Sequence, residues 1–197
     1  MSRTNKERTE ATRAALIAAA RTLFTDKGYA DTATPDIVSA AGVTRGALYH
    51  HFEDKKALFR AVVEHEAAQV AETIEARSAL AKSPREALLS GASAYFDAME
   101  VPGRTRLILL DAPAVLGAEC LGAIDRENAD KSLHEGVRAQ LSSSADRHQI
   151  QAISNLLSAA FDRAAIAIEA GGDRKIYEAA IVMLIDGARL QPPTTDG

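Results

Sequence analysis

Only one cysteine, Cys120, stands among these 197 residues, so neither an internal disulfide nor a thiolate zinc site, each needing at least two sulfurs, is available. Long apolar runs are missing as well. Nothing approaches the roughly 18 to 20 apolar residues that cross a bilayer, and the opening MSRTNKERTEATRAA is too polar for a secretory leader. A cytoplasmic protein with no membrane partner is expected. β-Branched residues are scattered rather than massed in alternating runs, which excludes an extensive sheet, and no self-similarity appears at the periods of solenoids. The marks of catalysis are absent too: no Glu-x-x-His pair, no G-x-S-x-G turn and no glycine-rich phosphate loop. No catalytic residue, metal or cofactor is therefore expected. The adjacent His50 and His51 do not change this, because neighbours on a helix point about 100° apart and cannot chelate together.

What is present favours helices. Apolar residues make up 47% and charged residues 25% of the chain, ordinary values for a protein with a real core. The net charge of −4 hides an asymmetry. Residues 1–63 carry ten Lys or Arg against seven Asp or Glu, whereas the remainder carries thirteen against twenty. The front faces an anion better than the back.

From Thr9 to Lys27, Leu16, Ala19, Ala20, Leu23 and Phe24 recur at three- and four-residue spacing and form one helical stripe, which Gly28 ends. A short second helix is expected to start at Thr34-Pro35, with the threonine as cap, and to bury Ile37, Val38 and Ala41. Gly42 breaks it. Thr44 then caps a third helix running to about His51, after a turn of only Gly42-Val43-Thr44. Asp54 caps a fourth, Lys55 to about Ala76, with Ala57, Leu58, Ala61 and Val62 inward and Glu64-His65-Glu66 on a solvated face.

Three helices with so short a turn before the third have the geometry of a helix-turn-helix, whose third helix enters the major groove of DNA. Thr34 and Thr44 offer hydroxyls and helix N-termini where phosphates could sit. Arg45 can reach a guanine edge with two hydrogen bonds, Gly46 lets the backbone approach the duplex, and Tyr49 and His50 extend the same surface. Lys55 brings a positive charge to the start of the fourth helix as a phosphate anchor.

The stretch TPDIVSAAGVTRGALYHHFEDKKALFRAVV closely resembles the helix-turn-helix of the TetR family, as does the preceding LFTDKGY. The resemblance covers about residues 9–63 and departs from the usual pattern at Pro35. It implies a dimeric transcriptional regulator, most often a repressor, with a small-molecule pocket in a variable C-terminal body. It also implies DNA contacts at Thr34, Thr44, Arg45, Gly46, Tyr49, His50 and Lys55. LILLDAPAVLGAE resembles a segment of some members without naming a ligand.

Behind the head, helical patterning restarts at Ser83-Pro84 through Ala87, Leu88, Tyr95 and Phe96, and residues 101–122 read as short helices and turns. Two striped segments, 149–170 and 173–190, are joined by Gly171-Gly172 and should form an antiparallel pair. The expected architecture is all-α with about nine helices: a DNA-binding domain over 1–54, a sensing and dimerisation domain over 55–190, and a disordered tail over 191–197. Tyr95, Phe96, Met99, Arg106, Asp111 and Phe161 are candidate effector-pocket residues. Ile153, Leu156, Leu157, Ala160, Ile181, Leu184 and Ile185 are candidates for a four-helix interface between two copies. The expected function is a ligand-responsive repressor acting as a homodimer on palindromic double-stranded DNA, with an unknown small-molecule effector. The alternatives are an activator of the same fold, a helical enzyme or a helical interaction module.

Overall fold

A computed structural model describes residues 4–127, 129–141 and 146–187; the expected tail over 191–197 lies outside them. Among the described residues there are ten α-helices and one π-helical turn, and no strand. Two compact units emerge. The first comprises Met1–Glu66 with Pro102–Leu121, and the second Ala67–Val101 with Gly122–Gly197. The first unit, which holds the expected head over 1–54, therefore extends to Glu66 and recruits a distant segment.

In the first unit, α1 (Asn5–Asp31) starts at a capping box in which Thr4 and Glu7 satisfy each other's backbone N–H groups. It buries Leu16, Ile17, Ala20 and Phe24, much as the stripe predicts. Gly28 marks a kink, at φ 81 and ψ 167, rather than the helix end. α2 (Thr34–Ala41) begins one residue earlier than expected: Ala33 is its cap and Thr34 already lies inside it. Gly42, in the left-handed conformation at φ 65, closes α2 and leads into α3 (Arg45–His51). Thr44 Oγ1 accepts from the Ala47 N–H at 3.1 Å, and Asp54 Oδ1 from the Ala57 N–H at 2.6 Å, which starts α4 (Lys55–Ser78). The rings of Phe24, Tyr29 and Phe59 lie 5.0 to 5.7 Å apart and fasten α1 to α4.

The recruited segment packs on α1. Its π turn spans Arg106–Asp111 and continues into α6 (Ala112–Leu116), and α7 (Ala118–Glu127) follows. A Cβ placed on Gly103 would stand 2.0 Å from Thr25 Cγ2, so only glycine lets the backbone lie this close to α1.

In the second unit, α5 (Pro84–Met99) opens at a Ser83 cap. α8 (Ala129–Gln140), which the sequence reading did not single out, packs on α5 and on α9 (Arg147–Glu169), and α10 (Arg174–Gly187) packs on α9 and α5. Their shared core is Leu88, Ala92, Phe96, Val137, Leu141, Ile150, Leu157, Phe161, Ala164, Ile181 and Ile185. Arginine clasps fix α10 on α5. Arg85 grips Asp186 with two bonds of 2.6 and 2.8 Å, and Arg174 reaches Asp97 at 2.6 Å, Glu100 at 2.9 Å and Glu178 of its own helix at 2.8 Å. Burial disfavours both charges of the Arg174–Asp97 pair, but the hydrogen bonds between them prevail, raising the arginine and lowering the carboxyl from their usual values.

Candidate nucleic-acid interface

The outward face of α3 follows from one buried residue. Leu48 is fully buried, anchoring α3 to the head, and this turns the opposite face of a seven-residue helix outward. Gly46, Tyr49 and His50 are exposed on that side, Thr44 and Arg45 are exposed at the start of the helix, four and three residues before Leu48, and Thr34 is half-buried in the first turn of α2. Tyr49 keeps 44% of its surface in solvent, unusual for an aromatic side chain with an apolar core beside it. The Arg45 guanidinium lies 5.5 Å from the Tyr49 ring centroid, a cation–π contact that holds the long side chain along the exposed face. Arg13, exposed on α1, stacks at 5.5 Å over Phe52. Burial, with His50 and Arg13 nearby, pushes the imidazole of the half-buried His51 below its ordinary value.

Lys55 is placed differently from its neighbours in the proposed contact set. It is half-buried, and its Nζ donates to the backbone carbonyls of Tyr29 at 2.8 Å, Thr32 at 3.0 Å and Ala30 at 3.5 Å.

The chain is similar in sequence to proteins that carry such a head. Residues 16–62 match the family model of bacterial regulatory proteins of the tetR family, and residues 85–187 match that of the tetracyclin repressor-like C-terminal domain. The chain belongs to the tetR family. Among its relatives is the HTH-type transcriptional regulator CymR of Pseudomonas putida, 34% identical over 139 residues, covering 69% of this chain and 61% of that protein. Another is the HTH-type transcriptional repressor BepR of Brucella suis, 43% identical over 63 residues, or 32% and 30% of the two chains. The chain thus spans about three fifths of one curated relative and under a third of the other. A crystal structure of a TetR-family transcriptional regulator from Pectobacterium atrosepticum is similar throughout: 36% identity, coverage of 96% of this chain and all of that one, and a TM-score of 0.71. The family and these relatives are transcriptional regulators, not enzymes.

A tetR-type head here contains a charge cluster that the sequence reading placed on a solvated face. Glu66 is 2% exposed, and its carboxylate receives Arg21 Nε at 3.1 Å and Nη2 at 3.3 Å, and Arg104 Nε at 2.8 Å. Arg21 also donates to the Pro102 carbonyl at 3.2 Å. Burial opposes ionisation of Glu66, yet the hydrogen bonds from Arg104 and Arg21 outweigh it and hold the carboxyl below the usual carboxylate range. The signal was present in the sequence, since Glu66 falls four residues after Val62 and four before Val70, on the buried stripe of α4.

The candidate pocket residues divide between the units. Tyr95, Phe96 and Phe161 meet in the second, with ring centroids 5.6 to 6.0 Å apart; Met99 is also buried, and Tyr95 Oη donates to Asp162 at 2.7 Å. Arg106 and Asp111 belong to the first, where they pair with each other at 3.5 Å across the π turn. Residues five apart lie about 140° apart around an α-helix and could not meet there; the wider π turn brings them together.

Among the candidate interface residues, Leu157, Ile181 and Ile185 are already buried inside the chain, at 5%, 3% and 1% exposure, and are corrected to core. Ile153 and Ala160 are half-buried against that core. Leu156 and Leu184 do point outward, joined by Ile176 and Met183, which the sequence reading omitted.

Proposed function

We propose that this chain is a sequence-specific DNA-binding repressor that acts as a homodimer on a palindromic operator and answers to a small-molecule effector. The exposed face of α3 carries this reading: Arg45, Gly46, Tyr49 and His50 stand outward on a helix pinned from behind by Leu48. Arg45 is the base reader, through its bidentate fit to guanine; Tyr49 and His50 supply apolar and polar contacts; Thr34 and Thr44 contact phosphate.

Dimerisation is supported by the outward apolar residues of α9 and α10. Leu156, Ile176 and Met183 expose 71%, 67% and 75% of their surface, too much apolar area in one helical pair to leave in water without a partner. A palindromic operator read in successive major grooves would require the two α3 helices to stand about 34 Å apart, one turn of B-DNA. We infer that the effector lies against the aromatic group Tyr95, Phe96 and Phe161 with Met99, a reading supported by the Tyr95 hydroxyl and the Asp162 carboxylate, which bring a polar pair to an otherwise apolar core. An effector acts only through unequal affinity for DNA-competent and DNA-incompetent states. Repression is the sign suggested by the family and by relatives such as BepR.

Selection of bound sequences from a random duplex pool, followed by mobility shifts with wild type and Arg45→Ala, tests the reading. The wild type is expected to enrich a palindrome, and the variant to lose about 1 to 3 kcal/mol of discrimination against random DNA. Retention of full specificity by the variant would remove Arg45 from the interface. Expression of a reporter behind the selected sequence separates repressor from activator.

A further inference from the structure

Lysine is poorly suited to the first position of a helix, because the free N–H groups there already form the positive end of the dipole. Lys55 nevertheless opens α4. Its side chain turns away from that end and reaches the opposite pole of another helix. The carbonyls of Tyr29 and Ala30 lie in the last turn of α1, beyond the kink at Gly28, and Thr32 is its C-cap. Carbonyls at that end have no partner within their own helix, and α1 has no basic residue in its last turn to supply one. Lys55 Nζ meets the carbonyls of Tyr29, Thr32 and Ala30 at 2.8, 3.0 and 3.5 Å and sits 4.3 Å above the Tyr29 ring. An ammonium has three donors. All three are directed into the protein.

We propose that Lys55 is a positioning residue of the DNA-binding head rather than a phosphate anchor. It clasps the corner between α1 and α2 to the start of α4, and so sets the angle at which α2 and α3 are presented. Thr32 occupies the same corner: it is 1% exposed, and its hydroxyl donates to the Gly28 carbonyl at 2.7 Å. The two side chains together satisfy the end of α1, and α2 begins two residues later. The clasp is a point charge converging on carbonyls, a geometry that the planar fork of a guanidinium does not reproduce.

Arginine thus separates the two roles, since it binds phosphate at least as well as lysine does. Full-length Lys55→Arg and Lys55→Met are compared with wild type by amide hydrogen exchange and by binding to two duplexes, the selected one and a random one of equal length, over a range of salt. Both variants are expected to exchange faster at residues 29–35 and to bind the selected duplex about tenfold more weakly. The slope of log affinity against log salt is expected to stay at the wild-type value. The assignment is overturned if Lys55→Arg keeps wild-type affinity while Lys55→Met lowers that slope by about one per protomer, or if exchange at 29–35 is unchanged. The DNA readout rests on the function proposed above, whereas the exchange readout does not. A wild type that ignores DNA would refute that function and leave the clasp to be judged by exchange. Should Lys55→Met not fold, Lys55→Arg decides by the same two measurements.

Discussion

Glu66 shows how much a single side chain does in the head. A carboxylate taken from water is costly unless its charge is matched, and here two guanidiniums from segments 45 and 38 residues away match it. Glu66→Gln leaves Arg104, itself 5% exposed, facing a neutral amide. The expected loss is about 3 kcal/mol in urea unfolding at neutral pH, the scale seen when one partner of a buried pair is removed. Because the folded carboxyl titrates below its ordinary value of about 4.5, its contribution is present above that pH and lost as pH falls below it. Wild type should therefore lose stability on acidification below about pH 4.5, and the variant should lose less over the same interval. Parallel losses in the two proteins would show that other carboxylates carry the acid sensitivity.

At the scale of elements, the fastening of the π turn to α1 is the feature without a local sequence signature. Pro102 accepts from Arg21, Gly103 lies against Thr25, Arg104 meets Glu66, and Arg106 reaches the space beside Gly28. Gly103 is the weak point, since its φ of +76 favours glycine and its missing Cβ is what admits Thr25. Gly103→Ala is expected to cost about 1 to 3 kcal/mol through backbone strain and the displaced Thr25 side chain. Adding Thr25→Ser, which removes the obstructing Cγ2 methyl, should recover part of the loss, and thermal unfolding of both variants measures it. An unchanged midpoint for Gly103→Ala would show that the segment is not seated on α1. The helices of the head were far more legible. Thr44, Gly42 and Asp54 act on backbone groups within a few residues, so their caps and breaks could be read directly. The start of α2 shifted by one residue because Ala33, without a side-chain hydrogen bond, serves as the cap where a threonine was expected.

For the whole molecule the decisive question is which side of α9 and α10 faces outward. The stripes were visible in the sequence, but their width left several residues open to either role. Leu157, Ile181 and Ile185 face the chain's own core, and Leu156, Ile176, Met183 and Leu184 do not. If the proposed homodimer forms through this face, replacing Leu156 and Leu184 together by Glu should leave the fold intact and give a monomer in light scattering where wild type gives a dimer, with each lost leucine burial worth about 2 kcal/mol. A dimer that persists would place the interface elsewhere. The sequence by itself determined most helices of the head and the family, because caps, glycine breaks and three- to four-residue spacing act over distances that the local chain encodes. Tertiary structure alone decided that Arg21 and Arg104 meet the Glu66 carboxylate, that Lys55 grips the end of α1, and which leucines remain outside. Each depends on a partner 23 or more residues away in the chain or on another helix, and a local pattern shows that a face is apolar or charged without showing what covers it.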